Sequence, residues 1–312
     1  MDRFLVTGGA GFIGSNICKK LASQGFFLRV VDNLLTGKKS NLAGIMDKIE
    51  FIQADITDLP VARAAVKDID VVLHQAALPS VPRSVDDPAA THRHCVNATF
   101  TMLLAARDAR IKRFVYAASS SAYGDTPTLP KVETMQDRPL SPYAVAKLVG
   151  EHYCSVFYKV FGLETISLRY FNVFGPQQDP TSQYAAAIPA FVTSILKDEP
   201  PTIYGDGEQS RDFTYIDNVV EANLLAAKAK HTAGQVVNIA CGQAVTVNRI
   251  IDMINKFVGK NVTPLYADPR PGDVKHSLAD ITLAKKTIGY EPIVSFEHGL
   301  EKAITWYRQN LL

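Results

Sequence analysis

The sequence predicts an α/β protein built on a doubly wound parallel sheet, with a smaller α/β domain after it. Strand and helix signals alternate through the first half of the chain, and the strands are continuous apolar runs rich in Val, Ile and Phe. Such strands are typical of a parallel sheet that helices cover on both faces. A glycine-rich turn directly after the first strand is the third observation.

The elements follow in chain order. The apolar runs that predict strands in the first half are "RFLVTGG", "FFLRVVD", "IEFIQAD", "DVVLHQAA", "RFVYAASSS" and "ETISLRY". Helical patterns cover about 12–22, 87–109 and 142–161, and later about 186–197, 216–229 and 246–258, with two more helices at the end. Strands at "PTIYGDG" and "VVNIA" lie between the later helices. We predict domains at 1–170 and 171–312, with later segments returning to the first.

Composition excludes several classes of protein. Of the 312 residues, 47% are hydrophobic and 21% charged, which is typical of a globular chain. The net charge of +2 without a basic block argues against nucleic acid or an anionic membrane as partner, and the longest apolar runs are too short to span a bilayer. The four cysteines form no C-x-x-C pair, so we expect no disulfide and no metal site. The start "MDRFLVTGG" does not resemble a secretory signal, and we expect a cytoplasmic protein.

The glycine turn "GGAGFIG" lies between the first strand and the first helix. Its glycines, Gly8, Gly11 and Gly14, suit a tight turn, a close approach to pyrophosphate and a close helix–strand contact. The helix N-terminus then offers free N–H groups to phosphates. Asp32 ends the second strand, where a carboxylate accepts hydrogen bonds from ribose hydroxyls. This combination predicts a Rossmann-type dinucleotide site.

Asp32 also bears on which dinucleotide binds. A 2′-phosphate would meet its negative charge, so the sequence favours NAD over NADP. Lys38 and Lys39 follow closely and weaken that argument, because either cation could pair with a phosphate.

Polar residues follow the other strands at the same predicted rim. Asp55 ends the third strand, and "HQAALPSVPRSV" follows the fourth. In a doubly wound sheet, ligands bind at the carboxyl ends of the strands. His74 lies inside an apolar strand, which favours a hydrogen-bonded core histidine over a catalytic one. The serines of "AASSSAYG" can offer hydroxyls to a substrate, although serines at strand ends are also common turn residues.

The stretch "SPYAVAK" predicts the start of a long helix. Ser141 suits the N-cap, Pro142 the first helical position and Gly162 the C-cap. Tyr143 and Lys147 are four residues apart and therefore share a helix face. The spacing alone is equally compatible with a solvated helix face; the serines and the glycine turn favour a catalytic pair.

Taken together, these motifs resemble the extended short-chain dehydrogenase/reductase family, and within it the UDP-sugar 4-epimerases. The motifs are "TGGAGFIGS", Asp32, Asp55, "HQAA", "SSSAYG", "SPYAVAK", "LRYFNVFGP", "RDFTYIDNV" and the tail "RPGDVKHSLADITLAKKTIGY". The resemblance implies Ser119, Tyr143 and Lys147 as catalytic residues. It implies NAD contacts at Gly8, Gly11, Phe12, Ile13, Gly14, Asp32, Asn33, Gly37, Asp55, Ile56, Gln75, Ala76, Ala77, Asn97, Tyr143, Lys147 and Phe171. It implies UDP-sugar contacts at Ser80, Ser84, Ser120, Ser121, Asn172, Ala187, Ile188, Tyr204, Arg211, Arg270, Asp273 and Ser277.

The implied reaction passes through a 4-keto sugar while NAD stays bound, with Tyr143 as the acid and base. A free tyrosine is a poor base at neutral pH, so we expect Lys147 and the positive nicotinamide ring to favour the phenolate. Related dehydratases and decarboxylases carry acidic groups after the catalytic serine or threonine; Ser120 and Ser121 stand there and disfavour both reactions. Where epimerases restricted to UDP-glucose and UDP-galactose carry a bulky tyrosine, this chain has Ser277, which leaves room for an acetamido group.

The leading hypothesis is a 4-epimerase of UDP-N-acetylglucosamine and UDP-N-acetylgalactosamine that also accepts UDP-glucose and UDP-galactose. A UDP-glucuronate/galacturonate 4-epimerase is the nearest alternative, since Arg83 and Arg211 could face a carboxylate. A non-catalytic NAD-binding regulator is a second alternative, against which Ser119, Tyr143 and Lys147 argue. The resemblance further implies a homodimer through the helices at about 87–109 and 142–161, although their apolar faces could equally be core.

Overall fold

A computed structural model of the chain describes residues 2–180, 187–269 and 274–311. Within these residues, the central parallel sheet comprises β1 (Arg3–Thr7), β2 (Phe27–Asp32), β3 (Glu50–Gln53), β4 (Val71–His74), β5 (Arg113–Ser119), β6 (Thr165–Tyr170) and β11 (Gln235–Ile239). Shorter pairs are formed by β7 (Val173–Phe174) with β10 (Thr214–Tyr215), β8 (Thr202–Tyr204) with β13 (Leu265–Ala267), and β9 (Ser210–Asp212) with β12 (Ala244–Thr246). The central strands lie in the order β3-β2-β1-β4-β5-β6-β11, so the strand order reverses between β1 and β4.

The helices lie between these strands. They are α1 (Phe12–Ser23), α2 (Leu59–Ala65), α3 (Val81–Asp86), α4 (Pro88–Thr91), α5 (Ala98–Asp108), α6 (Pro142–Phe161), α7 (Ala187–Leu196), α8 (Ile216–Lys228), α9 (Val247–Val258), α10 (Thr282–Ile288) and α11 (Phe296–Leu311). A π-helical segment, His92–Asn97, joins α4 to α5, and 3₁₀ segments cover Lys39–Lys48 and Ser120–Tyr123. In the part of the chain that the structure describes, no helix is both long and apolar enough to cross a membrane.

Apolar side chains fill both faces of the central sheet. Successive residues of a strand point to opposite faces, so Leu5 packs into a cluster with α2, α5 and α6, while Val6 packs into a cluster with α1 and α8. Both side chains are fully buried. Each contributes about 1.5–3 kcal/mol by leaving water, which explains why the strands read as continuous apolar runs.

The predicted fold class is confirmed. Helix α6 begins and ends as the sequence indicates: the Ser141 hydroxyl accepts a hydrogen bond from Ala144 N–H at 3.1 Å, and Gly162 adopts the left-handed conformation with φ of 69°. The strand predicted at "VVNIA" is β11, which pairs with β6 in the central sheet, with Val237 beside Leu168. The division into domains 1–170 and 171–312 stays a prediction.

Candidate active site

The glycine turn lies at the carboxyl end of β1, beside the reversal of strand order. Gly8 has φ of +67°, and a Cβ there would lie 2.7 Å from the backbone of Ala76. A Cβ on Gly14 would lie 2.2 Å from the Gly8 carbonyl oxygen. Ser15 N–H donates to the Gly11 carbonyl, which leaves the three preceding N–H groups of α1 without partners inside the helix. The turn is therefore a backbone cradle for phosphate, and it fits a dinucleotide.

A cavity of about 1030 Å³ opens above this turn, at the strand ends. That volume is at the upper end for a small-molecule site and suits an extended cofactor. The predicted site residues that line it are Gly8, Gly11, Phe12, Ile13, Gly14, Asp32, Asn33, Asp55, Ile56, Gln75, Ala76, Ala77, Ser80, Tyr143 and Lys147. The structure thus brings the glycine turn and the Tyr143–Lys147 pair to one cavity.

Asp32 is held rigidly at the end of β2. Its carboxylate oxygens accept hydrogen bonds from Ala10 N–H at 2.9 Å and from Leu34 N–H at 2.8 Å. Burial raises the pKa of Asp32, and these two N–H groups oppose that shift. A Cβ on Gly37 would lie 2.9 Å from both carboxylate oxygens, so only glycine fits there. The residues fit the ribose contact that the sequence predicts.

The two lysines that weakened the choice of NAD have other partners. Lys38 Nζ donates to Asp179 Oδ2 at 2.6 Å. Lys39 Nζ lies 5.3 Å from the centre of the Phe51 ring, within cation–π range. The charge of Lys38 is paired with a carboxylate, and Lys39 is held against a ring, so Asp32 is the charge that lies at the end of β2 where a ribose would bind.

Tyr143 and Lys147 lie on the inner face of α6, one turn apart. Lys147 is 3% exposed, and its Nζ donates to the Ala117 carbonyl at 2.7 Å. The same Nζ lies 5.9 Å from the centre of the Tyr143 ring. The pair is therefore not a solvated helix face: the ammonium is buried between α6 and the end of β5.

Ser119 completes this group at the end of β5. Its oxygen accepts hydrogen bonds from the Ser121 hydroxyl at 2.9 Å and from Ser121 N–H at 3.2 Å. A hydroxyl that accepts two bonds keeps its own hydrogen to donate. Ser119 also lies close enough to Tyr143 to lower the pKa of its phenol. Ser121 thereby orients Ser119 toward the phenol.

Burial dominates the electrostatics of the pair. It raises the pKa of Tyr143, the nearby Cys95 raises it further, and the hydrogen bond with Ser119 lowers it. Burial likewise lowers the pKa of Lys147. In the protein alone, burial and Cys95 outweigh the hydrogen-bonding effect of Ser119, so the pKa of Tyr143 is raised. The phenolate is thus favoured only if the positive nicotinamide ring, the other part of the expectation, lowers that pKa.

A second group of predicted residues lies beyond β6. Asn172 has φ of 35°, and its Nδ2 donates to the Asp212 carbonyl at 2.9 Å and to Ser277 Oγ at 3.3 Å. Arg211 Nη1 donates to the Lys275 carbonyl at 2.9 Å, which places it on the same side. Tyr204 ends β8 and is 38% exposed. Arg270 and Asp273 lie outside the described residues.

Other predicted contacts are not brought to the cavity. The Ser84 hydroxyl donates to the Val81 carbonyl inside α3. The Ile188 side chain packs in the core, and Ala187 is exposed at the start of α7. Phe171 is fully buried with Tyr123, their ring centres 6.1 Å apart. Ser120 starts the 3₁₀ turn after β5 and is half-buried.

Asn97 is exposed and does not line the cavity. Cys95, two residues earlier, is 1% exposed and belongs to an apolar cluster with Ala146 that Tyr143 packs against. Residues two apart in a helical segment point in different directions. Cys95 is thus an inward-facing residue that packs behind Tyr143 and that the sequence pattern does not indicate.

His74 is confirmed as a core histidine. It is fully buried, and its ring nitrogens bond to the hydroxyls of Thr7 at 2.8 Å and Thr99 at 3.0 Å. Burial lowers its pKa to about 3, with Lys147 as a smaller cause. The imidazole is therefore neutral and structural.

Comparison with known proteins identifies the family. Residues 4–240 match the model of the NAD dependent epimerase/dehydratase family. A putative UDP-glucose 4-epimerase of Methanocaldococcus jannaschii is 39% identical, over 98% of each chain.

Two solved structures are similar over almost the whole chain. The UDP-N-acetylglucosamine 4-epimerase of Methanobrevibacter ruminantium M1, in complex with UDP-N-acetylmuramic acid, has 39% identity and a TM-score of 0.95, covering 99% of this chain and 98% of its own. The UDP-glucuronic acid 4-epimerase of Bacillus cereus, in complex with UDP-glucuronic acid and NAD, has 34% identity and a TM-score of 0.90, covering 98% and 99%. With these matches and a cradle that fits the dinucleotide, the chain belongs to the NAD dependent epimerase/dehydratase family, and its cofactor is NAD.

Proposed function

We propose that this protein is an NAD-dependent 4-epimerase of UDP-hexoses, acting on UDP-N-acetylglucosamine and UDP-N-acetylgalactosamine and also on UDP-glucose and UDP-galactose. The observation that carries the proposal is that Tyr143 and Lys147 line the cavity that holds the glycine cradle, with Ser119 beside Tyr143 at the end of β5. Similarity over nearly the full chain to UDP-sugar 4-epimerases supports the same reaction class.

Residues of the chain itself transfer the proton to and from the sugar 4-hydroxyl. Because burial raises the pKa of Tyr143, its phenol oxygen holds a proton at neutral pH in the protein alone. Ser119 keeps a hydrogen to donate, so it can bridge the phenol and the sugar hydroxyl. The hydrogen bond from Lys147 Nζ to the Ala117 carbonyl fixes the ammonium at the end of the cavity beside β5. When bound, NAD would supply a reversible hydride acceptor for the sugar C4.

Ser277 supports the choice of N-acetylated sugars. Its hydroxyl accepts a hydrogen bond from Asn172 and is half-buried, so it lies beside a predicted nucleotide-sugar contact. We expect Ser277→Tyr to fill the space that an acetamido group needs. It should cut turnover of the N-acetylated sugars at least tenfold relative to UDP-glucose, because added bulk in a packed pocket costs about 1–3 kcal/mol. Equal losses for both classes would contradict this assignment.

A UDP-uronate 4-epimerase remains the second candidate, and one observation favours it. Arg83 lines the cavity three residues after Ser80, so a positive charge lies near a predicted sugar contact. Arg211 is a weaker candidate for a carboxylate, because its guanidinium donates to the carbonyls of Ser210 and Lys275. Faster turnover of UDP-glucuronate than of any neutral UDP-sugar would establish this alternative.

A substrate panel separates these functions. The purified protein is incubated with UDP-N-acetylglucosamine, UDP-N-acetylgalactosamine, UDP-glucose, UDP-galactose and UDP-glucuronate, and products are followed by NMR. We expect 4-epimers of the first four; no 4-epimer from any of them would overturn the proposal. Tyr143→Phe should abolish nearly all turnover and keep bound NAD, whereas a non-catalytic regulator would show no turnover in either protein.

We further propose that the protein is a homodimer. An apolar stripe runs along the outer face of α5 and α6: Phe100, Val145, Tyr153, Val156 and Val160. The spacing along α6 keeps these side chains on one face, and Phe100 stacks near Tyr153 at 5.0 Å between ring centres. Exposed apolar stripes of this kind mark protein–protein contacts, and a second copy of the chain presents the same stripe. A monomer in light scattering at micromolar concentration would refute the dimer.

We place the protein in the cytoplasm. The four cysteines are free thiols, and Cys18, Cys95 and Cys154 are buried. Free thiols persist in reducing compartments, which supports this location. Fractionation of cells that express the protein tests it.

A further inference from the structure

Three polar side chains form a closed ring of hydrogen bonds at the wall of the cofactor cavity. The Tyr170 hydroxyl donates to Gln75 Oε1 at 3.1 Å. Gln75 Nε2 donates to Asn223 Oδ1 at 2.9 Å. Asn223 Nδ2 donates to the Tyr170 oxygen at 2.8 Å, which closes the ring. Each side chain donates once and accepts once, so all three bonds run in one direction and strengthen one another.

The ring is anchored where it meets the protein core. Asn223 is fully buried on α8, and its second N–H donates to the Val219 carbonyl one turn earlier at 2.7 Å. The oxygen and both N–H groups of the Asn223 amide therefore have hydrogen-bond partners. The Asn223 side chain has a single orientation compatible with these bonds, and it joins α8 to residues at the ends of β4 and β6.

Gln75 and Tyr170 both line the cofactor cavity, whereas Asn223 does not. The ring uses one N–H and one oxygen lone pair of the Gln75 amide. One N–H and one lone pair are left, and they are the groups that Gln75 can offer to a ligand. Because the ring fixes which end of the amide is oxygen, Gln75 cannot turn over without breaking two bonds.

We propose that Asn223 is a positioning residue for NAD: through Gln75 and Tyr170 it fixes the wall of the cavity against which the cofactor binds. The inference depends on cofactor binding and not on which UDP-sugar reacts. It assigns a binding role to α8, a helix from the second half of the sequence that contributes no residue to the cavity wall itself.

The expected consequence is faster loss of NAD when the ring is opened. Asn223→Leu keeps the volume and removes the bonds from Asn223 to Gln75 and to Tyr170. Tyr170→Phe removes the bonds from the hydroxyl to Gln75 and to Asn223. Either change leaves the Gln75 amide with one ring bond in place of two, and we expect NAD release to speed up about tenfold, the equivalent of one or two hydrogen bonds. Because both variants open the same ring and share the loss of the Asn223–Tyr170 bond, the double variant should speed NAD release by clearly less than the factor of about a hundred that independent contacts would give.

The experiment measures NAD release from purified holoprotein, with released NAD trapped by an NAD-consuming enzyme. Tyr123→Phe is the matched control, because Tyr123 is also buried and donates to Asn238 at 2.7 Å, but it does not line the cavity. It should lower the thermal stability as much as Tyr170→Phe does and leave NAD release unchanged. If Asn223→Leu does not fold, Tyr170→Phe still tests the ring. Unchanged release in the ring variants, multiplied effects in the double variant, or equal effects in Tyr123→Phe would each overturn the proposal.

Discussion

Gly14→Ala tests the cofactor cradle most directly. The added Cβ would lie 2.2 Å from the Gly8 carbonyl oxygen and 2.8 Å from Gly9 Cα, and both are backbone atoms. Real Cβ contacts are about 1 Å longer, so the turn and α1 must separate by roughly that distance. Such overpacking costs about 1–3 kcal/mol of stability. The separation also spoils the N–H geometry at the start of α1, and losing one or two phosphate hydrogen bonds of about 1.5–3 kcal/mol each weakens NAD binding at least tenfold.

Two other glycines in the same part of the chain give a graded series. A Cβ on Gly11 would lie 3.2 Å from the Gly8 carbonyl oxygen, a tight contact that a small shift relieves. A Cβ on Gly44, in the neighbouring 3₁₀ segment, would meet nothing within 4 Å. The amount of NAD that copurifies, and its affinity by calorimetry, should therefore fall in the order Gly44→Ala, Gly11→Ala, Gly14→Ala. Wild-type affinity in Gly14→Ala, or a reversed order, would refute this reasoning.

Three further predictions test stability, assembly and the cofactor rim. The pKa of His74 falls from 6.5 to about 3 on folding, so its contribution is full above pH 6.5 and declines as the pH falls. The free energy of unfolding from urea titrations should drop by about 2 kcal/mol more between pH 6.5 and pH 5 in the wild type than in His74→Asn. Val156→Glu puts a charge in the α5/α6 stripe and should give a monomer in light scattering. Lys38→Ala breaks an exposed ion pair with Asp179 and should speed NAD release at most about fivefold; the effect should fade in high salt.

The framework of this fold could be predicted because several local signals agree. Strand ends at Thr7, Asp32 and Ser119 fall where the apolar runs end, and α6 begins at a serine–proline pair and stops at a glycine. Each of these signals comes from a short stretch of chain. The partner of a strand, in contrast, depends on distant residues: nothing in "VVNIA" shows that it lies beside β6.

The π-helical segment shows why individual site residues are harder to predict. The pattern over 87–109 indicates one helix, but the structure has α4, a π-helical stretch and α5 in its place. A π-helical turn holds more residues than an α-helical one and changes which side chains face inward. Asn97 is exposed and Cys95 lies against Ala146, an arrangement that depends on the local backbone geometry and that residue type alone does not indicate. The predicted contact of Asn97 with NAD stays a prediction. The ring of Gln75, Tyr170 and Asn223 joins three distant stretches and has no sequence signal of its own.

The charges in the site connect the cradle to the catalytic pair. Burial acts on Tyr143 and Lys147 in opposite directions: it raises the pKa of the phenol and lowers that of the ammonium, so it favours the uncharged form of each. Ser119 opposes this only through one hydrogen bond, because a neutral hydroxyl adds no charge. The protein alone therefore holds Tyr143 as an acid, and a further positive charge is needed to make it a base. The oxidised nicotinamide ring carries such a charge, which ties the proton on Tyr143 to the cofactor that the cradle, Asp32 and the Gln75 wall hold in place.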